Sequence, residues 1–222
     1  MKETLHVGLL LPESHQLLDG AGPIDMITML TPVFLDGCHA PPSLRDKAVP
    51  MEFHYISHSL EPVSPAAGPR QLPTCTYATC PPLNLLMLPG SSPDAHFSPE
   101  LIRFVQERVN EVEIVMSICT GSLILAQAGV LNGKKASTNK SAYKFATEKF
   151  PQVQWIPKGR WTVDGKFWTG SGITAGMDMM SAFLMSRYDH DLIKWLHALA
   201  EFQPKQQDDD PFVWLLDDSQ SH

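Results

Sequence analysis

Cys119 stands where a thiol can act as a nucleophile. It follows the strand-length run Ile114–Ile118 and precedes Thr120-Gly121-Ser122, after which a helical pattern covers residues 123–130 and stops at Asn132-Gly133. A tight strand–turn–helix junction holds its central residue in a strained position with the side chain exposed at the sheet edge. The N-terminus of the following helix also favours the thiolate, so a lowered thiol pKa is expected. The plain alternative is a small buried thiol with only a packing role. A second candidate is Asp19, in Asp19-Gly20-Ala21-Gly22-Pro23 after the apolar run 5–12. A carboxyl group beside a thiolate has its pKa raised by the like charge and can donate a proton. Its structural alternative is a cap for the loop before Pro23. Backbone N–H groups at Gly90 and around Thr120-Gly121 are candidates for stabilising developing negative charge.

The histidines narrow the choice of partner. The nine lie at 6, 15, 39, 54, 58, 96, 190, 197 and 222, with none between His96 and His190. A Cys–His triad of the class I amidotransferase type needs a downstream His with Glu two residues later. His190-Asp191-Leu192 lacks that pattern, and His197 falls within an amphipathic run, where helix packing accounts for it. Asp19 is therefore the better partner for Cys119. Asp25 reads as a first-turn residue of a helix opened by Pro23. The other cysteines, Cys38, Cys75 and Cys80, read as reduced thiols. Cys75 and Cys80 could form half a metal site, but no second Cys/His pair follows at finger-like spacing, and no metal is expected.

These residues need a scaffold. Runs of strand length at 5–12, 53–58, 83–88 and 114–118 alternate with helical patterns, which predicts an α/β domain with a mainly parallel sheet. Ser98-Pro99 opens a helix. Residues 37–50 and 62–73 are proline-rich, the second with the makings of a small hairpin. Asp164-Gly165 marks a hairpin between 161–163 and 166–169. Helices are expected at 24–30, 141–150, 173–188 and 191–202. In open parallel sheets chemistry sits beyond the carboxyl ends of the strands, which here carry Asp19, Gly90-Ser91 and Cys119. Residues 1–202 read as one domain. The tail 203–222 is acidic but contains Phe212-Val213-Trp214-Leu215-Leu216, expected to pack on the domain or on a second subunit.

Leu88-Pro89-Gly90, Ser117-Ile118-Cys119-Thr120-Gly121-Ser122 with Ala126-Gln127-Ala128-Gly129-Val130-Leu131, and residues 169–178 (Thr-Gly-Ser-Gly-Ile-Thr-Ala-Gly-Met-Asp) resemble the DJ-1/PfpI superfamily. Within it the pattern is most like the isocyanide (isonitrile) hydratases. There Gln-Leu-Asp, two residues and Gly-Pro supply the acid; here residues 16–23 supply Asp19 with one extra Leu. The resemblance implies a flavodoxin-like three-layer α/β/α sandwich with a nucleophile elbow, and a homodimer. It implies catalysis by Cys119, Asp19 and Thr120 without a cofactor, and a covalent thioimidate on the way from isonitrile to N-substituted formamide. Gly90, Ser91, Gly121, Asn139, Ile173 and Thr174 would bind substrate or an oxyanion. Two departures stand out. Thr138-Asn139-Lys140 replaces the usual Thr-His-Trp, and Ser91 replaces a glycine. They leave open a glyoxalase-like or tailoring enzyme, and a cysteine redox or ligand sensor.

With 24 acidic and 17 basic residues the net charge is −7, a poor basis for binding nucleic acid. No apolar run reaches the roughly 20 residues of a membrane span, and Met1-Lys2-Glu3-Thr4 shows no signal-peptide pattern. A cytoplasmic enzyme of a small molecule is the expectation.

Overall fold

The computed structural model describes residues 3–217. Its framework is a seven-stranded sheet in the order β3-β2-β1-β4-β5-β9-β8, made of β1 (Leu5–Leu10), β2 (Met51–Ser57), β3 (Cys75–Thr76), β4 (Leu85–Leu88), β5 (Ile114–Ile118), β8 (Trp161–Asp164) and β9 (Phe167–Gly170). All neighbours are parallel except β8 and β9, the hairpin that Asp164-Gly165 turns. A two-stranded parallel pair, β6 (Lys135–Ala136) and β7 (Gln154–Trp155), stands apart. The central strands are largely apolar because both faces are covered. Successive residues serve opposite layers: Val7, Leu9, Leu85, Met87, Ile114, Met116 and Ile118 enter one core, while Leu10, Leu86, Leu88 and Val115 enter the other.

The first core is closed by α1 (Leu17–Thr28), α7 (Ile173–Arg187) and α8 (His190–Leu199), the second by α4 (Pro99–Glu111) and α5 (Gly121–Gln127). Between α1 and β2 lie two short helices, α2 (Pro32–Gly37) and α3 (Pro42–Arg45). The second falls inside the stretch expected to be loop, and proline opens both. Helix α6 (Tyr143–Lys149) follows a single 3₁₀ turn at Lys140–Ala142. Ser98 caps α4, its Oγ accepting from the Leu101 N–H. Residues 62–73 reduce to one antiparallel bridge, Val63 with Gln71.

Helix α1 corrects the reading of residues 16–30. It begins at Leu17, six residues before Pro23, so Asp19 lies in its first turn rather than in a loop, and the exposed Asp25 lies in its second half. The glycines that suggested a turn are packing residues. A Cβ on Gly20 would lie 2.8 Å from Leu9 Cδ2, and one on Gly22 would lie 2.9 Å from Met177 Cγ. Close seating of the helix on the sheet and on α7 requires their small size. Pro23 is tolerated inside the helix at the loss of one N–H donor.

Beyond α8 the chain runs back over the domain. Gln207 O accepts from Arg160 N–H, Gln207 Nε2 donates to Trp161 O, and Asp210 Oδ2 meets both Gly159 N–H and Lys140 Nζ at 2.9 Å. The apolar stretch after it is a 3₁₀ turn, Val213–Leu216, with no buried residue. Phe212, Trp214 and Leu215 keep 46%, 51% and 41% of their surface exposed. Half-buried Val213 and Leu216 rest toward the 3₁₀ turn at Lys140–Ala142, while Phe212, Trp214 and Leu215 face outward. Residues 218–222 lie outside the described part of the chain.

Candidate active site

β1 is flanked by β2 on one side and by β4 on the other, so the chain reverses its direction of travel across the sheet at β1/β4. The crevice beyond the carboxyl ends of strands at such a switch point is where open α/β sheets place their ligands. Asp19 follows β1, Gly90-Ser91 follow β4, and Cys119 follows β5, and the structure brings all three together. Gln16 N–H donates to Gly90 O at 2.7 Å, tying the loop before α1 to the loop after β4.

Cys119 has φ +57°, a left-handed conformation that a residue other than glycine adopts only under strain. Its N–H donates to Gly170 O, while Thr138 Oγ1 and Ser122 Oγ both donate to its carbonyl oxygen at 3.3 Å. The elbow depends on Gly121, where a Cβ would come within 2.2 Å of Leu88 O. Asn139 Nδ2 donates to the sulfur at 3.3 Å. Its amide orientation follows from the other end: Oδ1 accepts from Ser141 N–H at 2.9 Å and from Ser141 Oγ at 2.7 Å, which leaves the NH₂ facing the thiol.

Asp19 is fully buried. Oδ2 accepts from Gly90 N–H at 2.9 Å, and Oδ1 has no hydrogen-bond partner. Burial lifts its pKa to about 6 against the opposing pull of the Gly90 hydrogen bond. The thiol of Cys119 is also raised, first by burial and then by the Asp19 charge. Hydrogen bonds from Asn139 and Thr120 act the other way and lose. The direction is opposite to the lowered thiol pKa expected from the helix terminus, because desolvation and a neighbouring carboxylate both disfavour the thiolate.

Two backbone donors read as oxyanion candidates are already engaged. Gly90 N–H serves Asp19, and Ser91 N–H donates to Thr120 Oγ1 at 2.9 Å. Thr120 Oγ1 in turn donates to Ser91 O at 2.5 Å, so this side chain clamps the β4 loop to the elbow. Space enforces the arrangement: a Cβ on Gly90 would lie 2.6 Å from Thr120 Oγ1 and 3.0 Å from Asp19 Oδ2. The donors left for a developing anion are those of the first turn of α5, around Gly121. Ile173 and Thr174 open α7 at the same edge of the sheet, and the Thr174 hydroxyl accepts from Arg160 Nη2 at 3.3 Å. Lys140 points away from the sulfur and pairs with Asp210. His197 packs between helices, its Nε2 3.0 Å from Ser181 Oγ. Asp178 is structural, gripped by Arg160 Nε at 2.7 Å and by Lys205 N–H at 2.9 Å.

Ser141 and Thr138 escaped the reading of the sequence. Asn139-Lys140-Ser141 does carry a local signal, an Asn whose side chain turns back on the N–H two residues later.

Residues 43–186 match the DJ-1/PfpI family. The isonitrile hydratase of Pseudomonas putida is 29% identical over 203 residues, covering 90% of this chain and 79% of that protein. The HTH-type transcriptional regulator CdhR of Pseudomonas aeruginosa is 26% identical over 125 residues, 55% of this chain and 37% of the regulator. Among solved structures, a ThiJ/PfpI family protein from Pseudomonas syringae superposes with a TM-score of 0.75 at 25% identity, covering 92% of this chain and 78% of that one. An AraC family transcriptional regulator from Pseudomonas putida gives 0.71 at 18% identity over 88% of this chain and 99% of that one, a likeness of fold alone. With a matching family, a parallel sheet wrapped by helices on both faces and a strained cysteine at its carboxyl edge, the chain belongs to the DJ-1/PfpI family.

Proposed function

We propose that the protein is a cysteine-dependent hydratase that adds water to a small isonitrile. The observation that carries this reading is the pairing of a raised thiol with a buried carboxyl group whose pKa is about 6 and one of whose oxygens has no partner. At neutral pH the two groups hold essentially one proton, on sulfur. Asp19 is then placed to act as base first and acid second. As sulfur bonds to the isonitrile carbon, Asp19 takes the thiol proton and returns it to that carbon, giving a thioimidate, R–N=CH–S. Asp19 next takes a proton from water as its oxygen attacks the same carbon, and delivers it to nitrogen. Collapse expels the Cys119 thiolate, which regains its proton, and N-substituted formamide leaves. The sum is R–NC plus H₂O giving R–NH–CHO, with no cofactor. The similarity to an isonitrile hydratase over most of the chain supports the same reading.

In this scheme Thr120 braces the elbow, Asn139 holds the sulfur, and the N–H groups around Gly121 face negative charge as it develops. A redox sensor is less well supported, because the thiolate is the form that reacts with oxidants and the pKa of this thiol is raised. The test is incubation with a panel of isonitriles, with formamide read by chromatography and the protein by intact mass. Turnover with a transient adduct on Cys119, lost in Cys119→Ser, is expected. No turnover and no adduct with any isonitrile would end the proposal.

A further inference from the structure

We propose that His6, Glu52 and His54 form a binding site for a late first-row divalent metal ion, with Zn²⁺ the best match. His6 is remote in sequence from Glu52 and His54, and the parallel pairing of β1 with β2 assembles them. His6 stands in register opposite Glu52, and a period of two puts His54 on the same face as Glu52. The imidazoles stack with centroids 5.2 Å apart, His6 Nδ1 lies 3.0 Å from His54 Nε2, and Glu52 Oε2 lies 3.6 Å from His6 Nδ1. One donor atom from each residue falls within 4.8 Å of the other two. A tetrahedral ion held at about 2.0–2.1 Å from two imidazole nitrogens needs them roughly 3.3 Å apart, a few tenths from the spacing found.

The chemistry of the donors points the same way. Two imidazoles and one carboxylate suit Zn²⁺, Cu²⁺ or Ni²⁺ rather than Ca²⁺ or Mg²⁺, which prefer oxygen. With His6 protonated on Nε2 and His54 on Nδ1, His6 Nδ1 and His54 Nε2 are both free to ligate. The backbone N–H of His6 donates to Asn84 Oδ1 at 2.8 Å and so fixes the start of β1 that carries the ligand. His6 and Glu52 lie near the amino-terminal ends of their strands and His54 at the middle of β2, whereas Cys119 lies beyond the carboxyl end of β5. The ion would take no part in chemistry at the sulfur. It would clip β1 to β2, with its remaining positions open to water.

The experiment is calorimetric titration of the full chain with ZnCl₂ at neutral pH. The Cys119→Ser protein is used, so that this thiol cannot supply the binding, and wild type is run beside it. One equivalent bound at micromolar dissociation constant or tighter is expected, together with a rise in melting temperature. Co²⁺ in place of Zn²⁺ should give the intense visible bands of a tetrahedral ion. Glu52→Gln, at an exposed position, should weaken binding at least tenfold, and the pair His6→Gln with His54→Gln should abolish it. Circular dichroism establishes that each variant is folded, and Glu52→Gln alone decides if the double variant is not. Absence of binding, or binding equal in Glu52→Gln and the parent, would overturn the site.

Discussion

Asp19 and Cys119 control each other's protons, and substitution of Asp19 separates their effects. Asp19→Asn removes the charge that raises the thiol, so the Cys119 pKa should fall. Titration of the ultraviolet thiolate absorbance, and a faster alkylation rate at neutral pH, check this. Hydration should nevertheless slow by roughly 10² to 10⁴, the range for loss of a general acid–base group. Asn139→Ala should move the thiol in the other direction, since a hydrogen bond that favours the thiolate is lost. Stability gives an independent measure of the Asp19 carboxyl. A carboxyl whose folded pKa stands above its ordinary value favours the folded state below that ordinary value and loses the advantage as pH rises through about 6. Asp19→Asn should therefore stabilise the protein by up to about 3 kcal/mol above pH 6 and by little near pH 4. Denaturant melts at the two pH values would show it, and equal effects at both would mean that Asp19 is not held as described.

At the scale of elements, the strands were legible because burial on both faces leaves apolar runs, unbroken at Leu85–Leu88. The cap at Ser98-Pro99 and the Asp164-Gly165 turn were legible because their chemistry is local. Helix α1 was not. Gly20, Gly22 and Pro23 carry the propensity of a turn, and only the approach of Leu9 and Met177 shows why a helix there needs them. The site divides in the same way. Cys119 and Asp19 follow from their positions at strand ends and from the resemblance. The capture of the Gly90 and Ser91 N–H groups and the direction of Lys140 depend on contacts across tens of residues. The elbow itself predicts a sharp intolerance. Gly121→Ala sets a methyl group against Leu88 O, and overpacking of this kind costs about 1–3 kcal/mol or more. Lower melting temperature together with lost alkylation selectivity at Cys119 is expected.

At the scale of the whole molecule, two buried ion pairs among the described residues bind separate segments. Arg160 and Asp178 join β8 to α7, and Asp178→Ala would leave the guanidinium buried without its counter-charge, a loss of about 3–5 kcal/mol. A drop in the denaturation midpoint, with the thiol pKa unmoved, would locate the effect in the scaffold. The exposed ring of Trp214 beside Phe212 and Leu215 suits a second subunit, as is common in the family resembled. Light scattering at micromolar concentration should return twice 24.6 kDa for the chain, and Trp214→Ser should shift it toward the monomer.

The other pair, Lys140 with Asp210, is only 5% and 4% exposed and has a consequence for how the protein can be cut. Lys140 adjoins the asparagine that touches the sulfur, and its counter-charge arrives from seventy residues downstream. A protease or a gene designer who stopped the chain at residue 202 would spare every group that contacts Cys119 and would take from Lys140, beside them, its counter-charge and its cover. The terminus is a leash on the reaction loop. The Asp210 pKa is lowered: burial works against this, but Lys140 and two backbone N–H groups prevail. The leash is thus taut at neutral pH and slackens only in acid, as pH falls through that lowered value.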